Sequence, residues 1–172
     1  MNKISLSSIL IAFTLTFSAG ASETKISGVH LCCQSCVKGV EKAVADVKGV
    51  TATVDKDEGT VTLSGADQAE VQKAADALVA AGYFGHSSDS NVKIASSSGA
   101  KGQKVQTLKL EGVHLCCGKC VSTVDKSLKS VAGVKEHTAK KNAESFEVTG
   151  DFNDQEVVDA LHKAGLNAKV AK

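Results

Sequence analysis

The chain has 172 residues, a formal charge of +1 and 23% charged side chains, with six Cys, one Tyr and neither Pro nor Trp. That length holds one ordinary domain or two small ones. A near-neutral balance with no long basic run excludes the electrostatic footprint of a nucleic-acid binder, and neither a phosphate loop nor a nucleotide fingerprint is present.

Residues 1–21, MNKISLSSILIAFTLTFSAGA, carry a lysine near the start, an apolar run from Ile9 to Phe17 and Ala19-Gly20-Ala21 in A-x-A form. This pattern predicts a secretory signal peptide cleaved after Ala21. The competing reading, an uncleaved membrane anchor, needs about 20 apolar residues, and Ser and Thr interrupt this shorter run. The protein is therefore expected to be exported, periplasmic or secreted, without stable membrane insertion after cleavage. Lys3 is the only charged side chain of the leader and Met1 is the only methionine, so the mature chain is formally neutral and has no thioether ligand.

After the leader, Lys25 to Leu31 reads as a strand with Ile26, Val29 and Leu31 apolar. From Cys36 to Val47, Val37, Val40, Val44 and Val47 recur at helical spacing opposite Lys38, Glu41, Lys42 and Asp46. Val50 to Val54 and Thr60 to Leu63 are strands joined by the turn Asp57-Glu58-Gly59. Asp67 to Ala81 is a second amphipathic helix, ended by Gly82, and Asn91 to Ala95 is expected to close the unit as a last strand. The order is βαββαβ, a ferredoxin-like sandwich of the α+β class: an antiparallel sheet with two helices on one face.

The unit is written twice. Gly28-Val29-His30-Leu31-Cys32-Cys33 recurs as Gly112-Val113-His114-Leu115-Cys116-Cys117, and Cys36-Val37 as Cys120-Val121, at an offset of 84. Lys48-Gly49-Val50 corresponds to Ala132-Gly133-Val134, and Ala81-Gly82 to Ala164-Gly165 at an offset of 83. The second copy fills its six elements with Lys104 to Leu115, Cys120 to Val131, Val134 to Thr138, Ser145 to Thr149, Asp154 to Ala164 and Asn167 to Ala171. The expected organisation is a signal peptide at 1–21, a module at 22–95, a Gly/Ser-rich flexible linker at 96–103 and a second module at 104–172. Eight flexible residues span roughly 16 Å, enough for the two cysteine clusters to face each other or to move independently. Each module, at about 70 residues, sits near the lower limit for an unaided core.

Both cysteine clusters fall where the first strand hands over to the first helix. The spacings Cys33-Gln34-Ser35-Cys36 and Cys117-Gly118-Lys119-Cys120 let paired sulfurs converge, and a helix start favours the thiolate. Lys119 adds a positive charge to the second cluster. Thiolates at a solvent-facing loop bind Cu(I), Zn(II), Cd(II) and Hg(II).

The element order with C-x-x-C opening the first helix resembles the heavy-metal-associated domain family. The resemblance implies a metal-binding, non-enzymatic protein that captures a thiophilic ion and passes it on or sequesters it. Its implied partners are a membrane metal transporter or another thiol-bearing metal carrier. Cys33 and Cys36, and Cys117 and Cys120, match the family's ligand cysteines. Leu31 and Leu115 stand in place of its Met, and Gly82-Tyr83 resembles its Gly-Tyr near the metal, from which Gly165-Leu166 departs.

The extra Cys32 and Cys116, and His30 and His114, depart from the family motif. Two thiolates suit linear Cu(I) or Hg(II), a third makes a trigonal site, and Cys3His completes a tetrahedron for Zn(II), so metal identity stays open, with Cu(I) and Zn(II) foremost. If the first strand ran to residue 32, His30 and Cys32 would share the face opposite Leu31. They are either accessory ligands or neighbours of the site. The alternative function is an exported thiol–disulfide redox protein with bonded Cys-x-x-Cys pairs. His86 and His137 read as solvated, and His162, in the last turn of a helix, as a cation suited to the dipole.

Overall fold

The computed structural model describes residues 21–171, so the expected signal peptide lies outside the described residues. Two ferredoxin-like α+β units follow one another. The first comprises β1 (Ser22–Ser27), α1 (Gln34–Ala45), β2 (Val50–Asp55), β3 (Thr60–Gly65), α2 (Gln68–Ala80) and β4 (His86–Ser87). The second comprises β5 (Lys104–Glu111), α3 (Gly118–Lys129), β6 (Val134–His137), β7 (Ser145–Asn153), α4 (Asp154–Lys163) and β8 (Lys169–Val170). Each forms a four-stranded antiparallel sheet, in the orders β2-β3-β1-β4 and β6-β7-β5-β8. No helix among the described residues is long and apolar enough to cross a membrane.

The alternation read from the sequence builds each core. Ile26, Val61 and Leu63 from the first sheet meet Val40, Val44, Val71 and Leu78 from its helices. Leu110, Val148 and Phe152 meet Val124, Leu128, Val157 and Leu161 in the second. Asp67 caps α2 by accepting from the Glu70 amide at 2.9 Å, and Asn153 caps α4 by accepting from Gln155, the pattern that satisfies orphan donors of a first turn. Helices α1 and α3 begin differently. Their N-cap residues are Cys33 and Cys117, and neither side chain caps the helix. Those sulfurs are left free for other contacts.

Four expectations change. The first strands end at Ser27 and Glu111, short of Leu31 and Leu115. A loop at positive φ follows through Gly28 (74°) and Gly112 (70°), whose conformation favours glycine. Residues 91–95 form no strand; the sheet is closed by the two-residue β4, which pairs with Ile26 and Ser27. Strand β7 runs on to Asn153, four residues past Thr149, because a register shift between Val134 and Glu136 and the Asp151 amide's bond to the Gly133 carbonyl (2.8 Å) carry the polar stretch. Residues 96–103, expected to be a flexible linker, are fastened to the second unit. Lys101 and Gln103 amides donate to the Asp154 carboxylate, both at 2.8 Å, and Val170 donates to the Ser98 carbonyl. Those amides hold the Asp154 carboxyl below its usual range against the opposing effect of burial.

Candidate metal centre

The loops at 28–33 and 112–117 keep an alternation beyond their strands. Val29 and Leu31, like Val113 and Leu115, point into the cores. His30, Cys32, His114 and Cys116 project the other way and are half-buried. The shared face expected of His30 and Cys32 is thus present, on a loop and not on a strand. Each loop is tied down across its unit: the Val29 amide donates to the Gly59 carbonyl at 2.9 Å, and the Asn142 amide to the Leu115 carbonyl at 2.7 Å.

The thiol-bearing ends of the two units dock on one another. Tyr83 and Leu166 form an antiparallel bridge, flanked by bonds from Phe84 to the Gly165 carbonyl (3.1 Å) and from Asn167 to the Gly82 carbonyl (3.0 Å). The His30 amide also donates to Gly165, at 3.2 Å. With a repeat offset of 83 residues, the Tyr83–Leu166 bridge and its two flanking bonds are equivalent about a local two-fold axis. Gly82 and Gly165 have φ of 92° and 76° and lie flat against the opposite unit. A Cβ on Gly165 would stand 2.3 Å from the Gly28 carbonyl oxygen, and one on Gly82 2.5 Å from the His114 nitrogen. Close approach of two backbones requires both glycines.

Docking brings all six cysteines together. Within the first unit Cys36 Sγ lies 3.6 Å from Cys32 and 3.8 Å from Cys33; within the second Cys120 Sγ lies 3.7 Å from both Cys116 and Cys117. Across the interface Cys32 is 3.4 Å from Cys117 and 3.6 Å from Cys120. Cys33 is 3.9 Å from Cys116 and 3.7 Å from Cys117, and Cys36 is 3.5 Å from Cys116. All six are free thiols. Cys36 and Cys120 are wholly buried and the other four half-buried. The solvent-facing loops expected of the separate motifs are therefore covered, because each unit caps the other.

So many sulfurs so close cannot all ionise in the absence of a cation. Interaction with the Cys120 thiol draws the Cys36 thiol far below its usual range against the cost of burial, with His114, Cys116 and Cys32 contributing in the same sense. Its neighbours take the opposite course. Contact with Cys36 and burial push Cys120 up, burial and Cys36 push Cys116 up, and burial with the Cys117 and Cys36 contacts pushes Cys32 up to about 12. Cys117, although burial opposes it, is lowered to about 6 by the backbone amides of Cys120 and Lys119 and by the Cys32 thiol. Lys119 thus acts through its amide; its side chain is exposed. A concentrated negative charge among polarisable sulfurs is a donor set for soft cations.

The imidazoles divide. His30 stands with Cys32 and Cys120 in a set of donor atoms that all lie within 4.8 Å of one another, and its Nε2 is buried with no hydrogen-bond partner. His114 takes a different partner. Its Nε2 is 3.1 Å from the Tyr83 hydroxyl and its ring stacks on Tyr83 at 4.5 Å. Tyr83 donates to the Cys36 carbonyl at 2.8 Å, so its oxygen is left to accept from His114. Away from the site, His162 is no cation. It stacks on Phe84 of the other unit at 3.8 Å, and burial lowers its pKa. His137 is not solvated either: it pairs with Asp125 at 3.3 Å and accepts from the Ala139 amide. His86 is exposed.

Gly39 belongs to this site and escaped the sequence reading. A Cβ there would stand 2.2 Å from the Tyr83 hydroxyl and 3.0 Å from the His114 ring. Glycine inside a helix costs about 1 kcal/mol relative to alanine, and its occurrence in α1 opposite Thr123 in α3 was the available signal.

The sequence matches the heavy-metal-associated domain over residues 24–84 and again over 107–166. Among solved structures, the N-terminal domain of PacS from Synechocystis PCC6803 is 28% identical, covering 40% of this chain and all of its own (TM-score 0.36). The apo heavy-metal-associated domain of the copper chaperone for superoxide dismutase is 33% identical over 51% of this chain and 86% of its own (TM-score 0.35). The N-terminal soluble domains of Bacillus subtilis CopA are 17% identical over 88% of this chain and 95% of theirs (TM-score 0.34). No curated protein matches the chain.

Proposed function

The chain belongs to the heavy-metal-associated domain family, in two tandem copies, and from that premise we propose that it is an exported, non-enzymatic carrier that captures and sequesters a thiophilic ion, Cu(I) foremost. The observation that carries this reading is the convergence of six free thiols in one network of 3.4–3.9 Å contacts. Soft thiolates select Cu(I) over hard cations. Cys33, Cys36, Cys117 and Cys120 serve as ligands, Cys32 and Cys116 join them, and His30 supplies an imidazole at the edge. His114 serves through its contacts with Tyr83 and Cys36.

Release to a thiol-bearing carrier or a membrane transporter proceeds by ligand exchange. An incoming thiolate adds to the ion at the half-buried rim as one of the protein's own sulfurs leaves, so coordination never collapses and no redox change occurs. A groove of about 420 Å³ lined by His114, Cys116 and Asn142 reaches this rim. Export is supported by the leader-like residues 1–21.

Elemental analysis of reduced protein, before and after replacing Cys33 and Cys36 by Ser, tests the assignment. The wild type is expected to retain soft metal against dialysis and the variant to lose at least half; unchanged stoichiometry would remove these cysteines from the site. N-terminal sequencing of protein recovered from the exported fraction is expected to begin at Ser22.

A further inference from the structure

We propose that the two modules bind metal as one polynuclear centre, four Cu(I) ions held on alternate faces of an octahedron of the six cysteine sulfurs. The proposal rests on the soft-metal reading above and goes beyond it, because two ordinary C-x-x-C modules would hold one ion each.

The sulfur positions have a definite topology. Nine S···S contacts of 3.4–3.9 Å join the six atoms. Three further pairs complete the figure. Cys32 and Cys33 lie within 4.8 Å of each other, as do Cys116 and Cys117, and Cys36 and Cys120 stand side by side, each touching both Cys32 and Cys116 at 3.5–3.7 Å. Every sulfur then has four neighbours and one opposite number: Cys32 faces Cys116, Cys33 faces Cys120, and Cys36 faces Cys117. That is the connectivity of an octahedron, with the local two-fold axis passing through the edges Cys33–Cys117 and Cys36–Cys120.

Alternate faces of this octahedron are four trios that use each sulfur twice. Three are compact donor sets in their own right: Cys32 with Cys33 and Cys117, Cys33 with Cys36 and Cys116, and Cys116 with Cys117 and Cys120. The fourth, Cys32 with Cys36 and Cys120, has edges of 3.6 Å from Cys32 to each of the others, and His30 stands beside it. No trio is confined to the first module, so the site is incomplete without docking.

Geometry and charge both select a monovalent, three-coordinate ion. A metal–sulfur bond of about 2.3 Å places three sulfurs around a trigonal ion about 4.0 Å apart, a small expansion of the observed spacing. A divalent zinc ion seeks four donors, and the imidazoles of His30 and His114 are too few to complete four faces. Six thiolates this close together, two of them wholly buried, are untenable without cations. Four Cu(I) ions cancel all but two of their charges, whereas a single ion would leave five.

Anaerobic titration of the reduced full chain with Cu(I), supplied as its acetonitrile complex and followed by native mass spectrometry and X-ray absorption, tests the proposal. The expected result is a four-copper species that forms with few intermediates and shows trigonal sulfur coordination with a Cu···Cu scattering shell. Replacing Cys116, Cys117 and Cys120 by Ser is expected to cut uptake from four ions to one at most, since three of the four faces lose one corner each and the fourth loses all three. Two ions per wild-type chain with no Cu···Cu shell would overturn the shared centre while leaving soft-metal binding intact. Failure of the wild type to take up Cu(I) at all would overturn both. The wild-type scattering shell decides the matter even if the triple variant fails to fold.

Discussion

The two modules are nearly identical in their sulfur ligands and unlike in what stands behind them. On one side of the local axis Tyr83 reaches across to bond His114 and the Cys36 carbonyl, and Gly39 leaves room for it. On the other, the corresponding Leu166 is buried and carries no hydroxyl, Thr123 replaces Gly39, and His30 Nε2 has no partner. The duplicated thiols set the chemistry of the centre. The single tyrosine makes one imidazole a strut and leaves the other unpartnered at the fourth face.

The comparison can be broken most severely at the element the halves share. Gly165→Val forces a side chain into the Gly28 and His30 backbone at a positive φ, which should cost about 3 kcal/mol or more. Denaturant unfolding should show the loss, and X-ray absorption of the copper-loaded variant should show a weaker Cu···Cu shell. Tyr83→Phe removes only the asymmetric bond. It removes the hydroxyl partner of His114 Nε2 and one donor to the Cys36 carbonyl and should cost about 1–3 kcal/mol, without altering the number of sulfurs about the metal.

A smaller effect separates the two ends of the interface. Phe84 stacks on His162, while their repeat equivalents, Asn167 and Val79, instead share a 2.8 Å hydrogen bond from Asn167 Nδ2 to the Val79 carbonyl. Burial depresses the His162 pKa, so this residue's contribution to stability is complete above the unfolded value of about 6.5 and is lost as pH falls from there through the lower folded value. Apo-protein stability should decline on acidification across this window. His162→Phe, which keeps a ring against Phe84, should flatten part of that slope; an unchanged slope would assign the whole effect to other groups, His30 first among them.

Much of this architecture is legible in residue patterns. Valines at helical spacing in α1 and alternating apolar residues in β2 and β3 place a hydrophobic face on each element, and burial follows wherever such a face exists. The repeated C-x-x-C, at a strand-to-helix junction, marks the donor atoms. Less legible were β4 and β8, of two residues each. Strands so short are defined by the partner edge they pair with, and carry too few side chains for alternation to register. The expected cation at His162 failed for a related reason: the helix end that would favour charge is covered by Phe84, from a residue 78 positions earlier in the chain.

By itself, then, the sequence determined two copies of one fold, the six sulfur donors and their softness, because those depend on periodicity and on ligand chemistry within a few neighbouring residues. Only the tertiary structure decided that the two clusters make one site. Contact between Gly82, Gly165 and the opposing histidine loops joins residues 30 to 137 positions apart, and it converts paired surface thiols into a covered octahedron. No local pattern encodes that distance, since it is set by how closely two backbones can approach where both present a glycine.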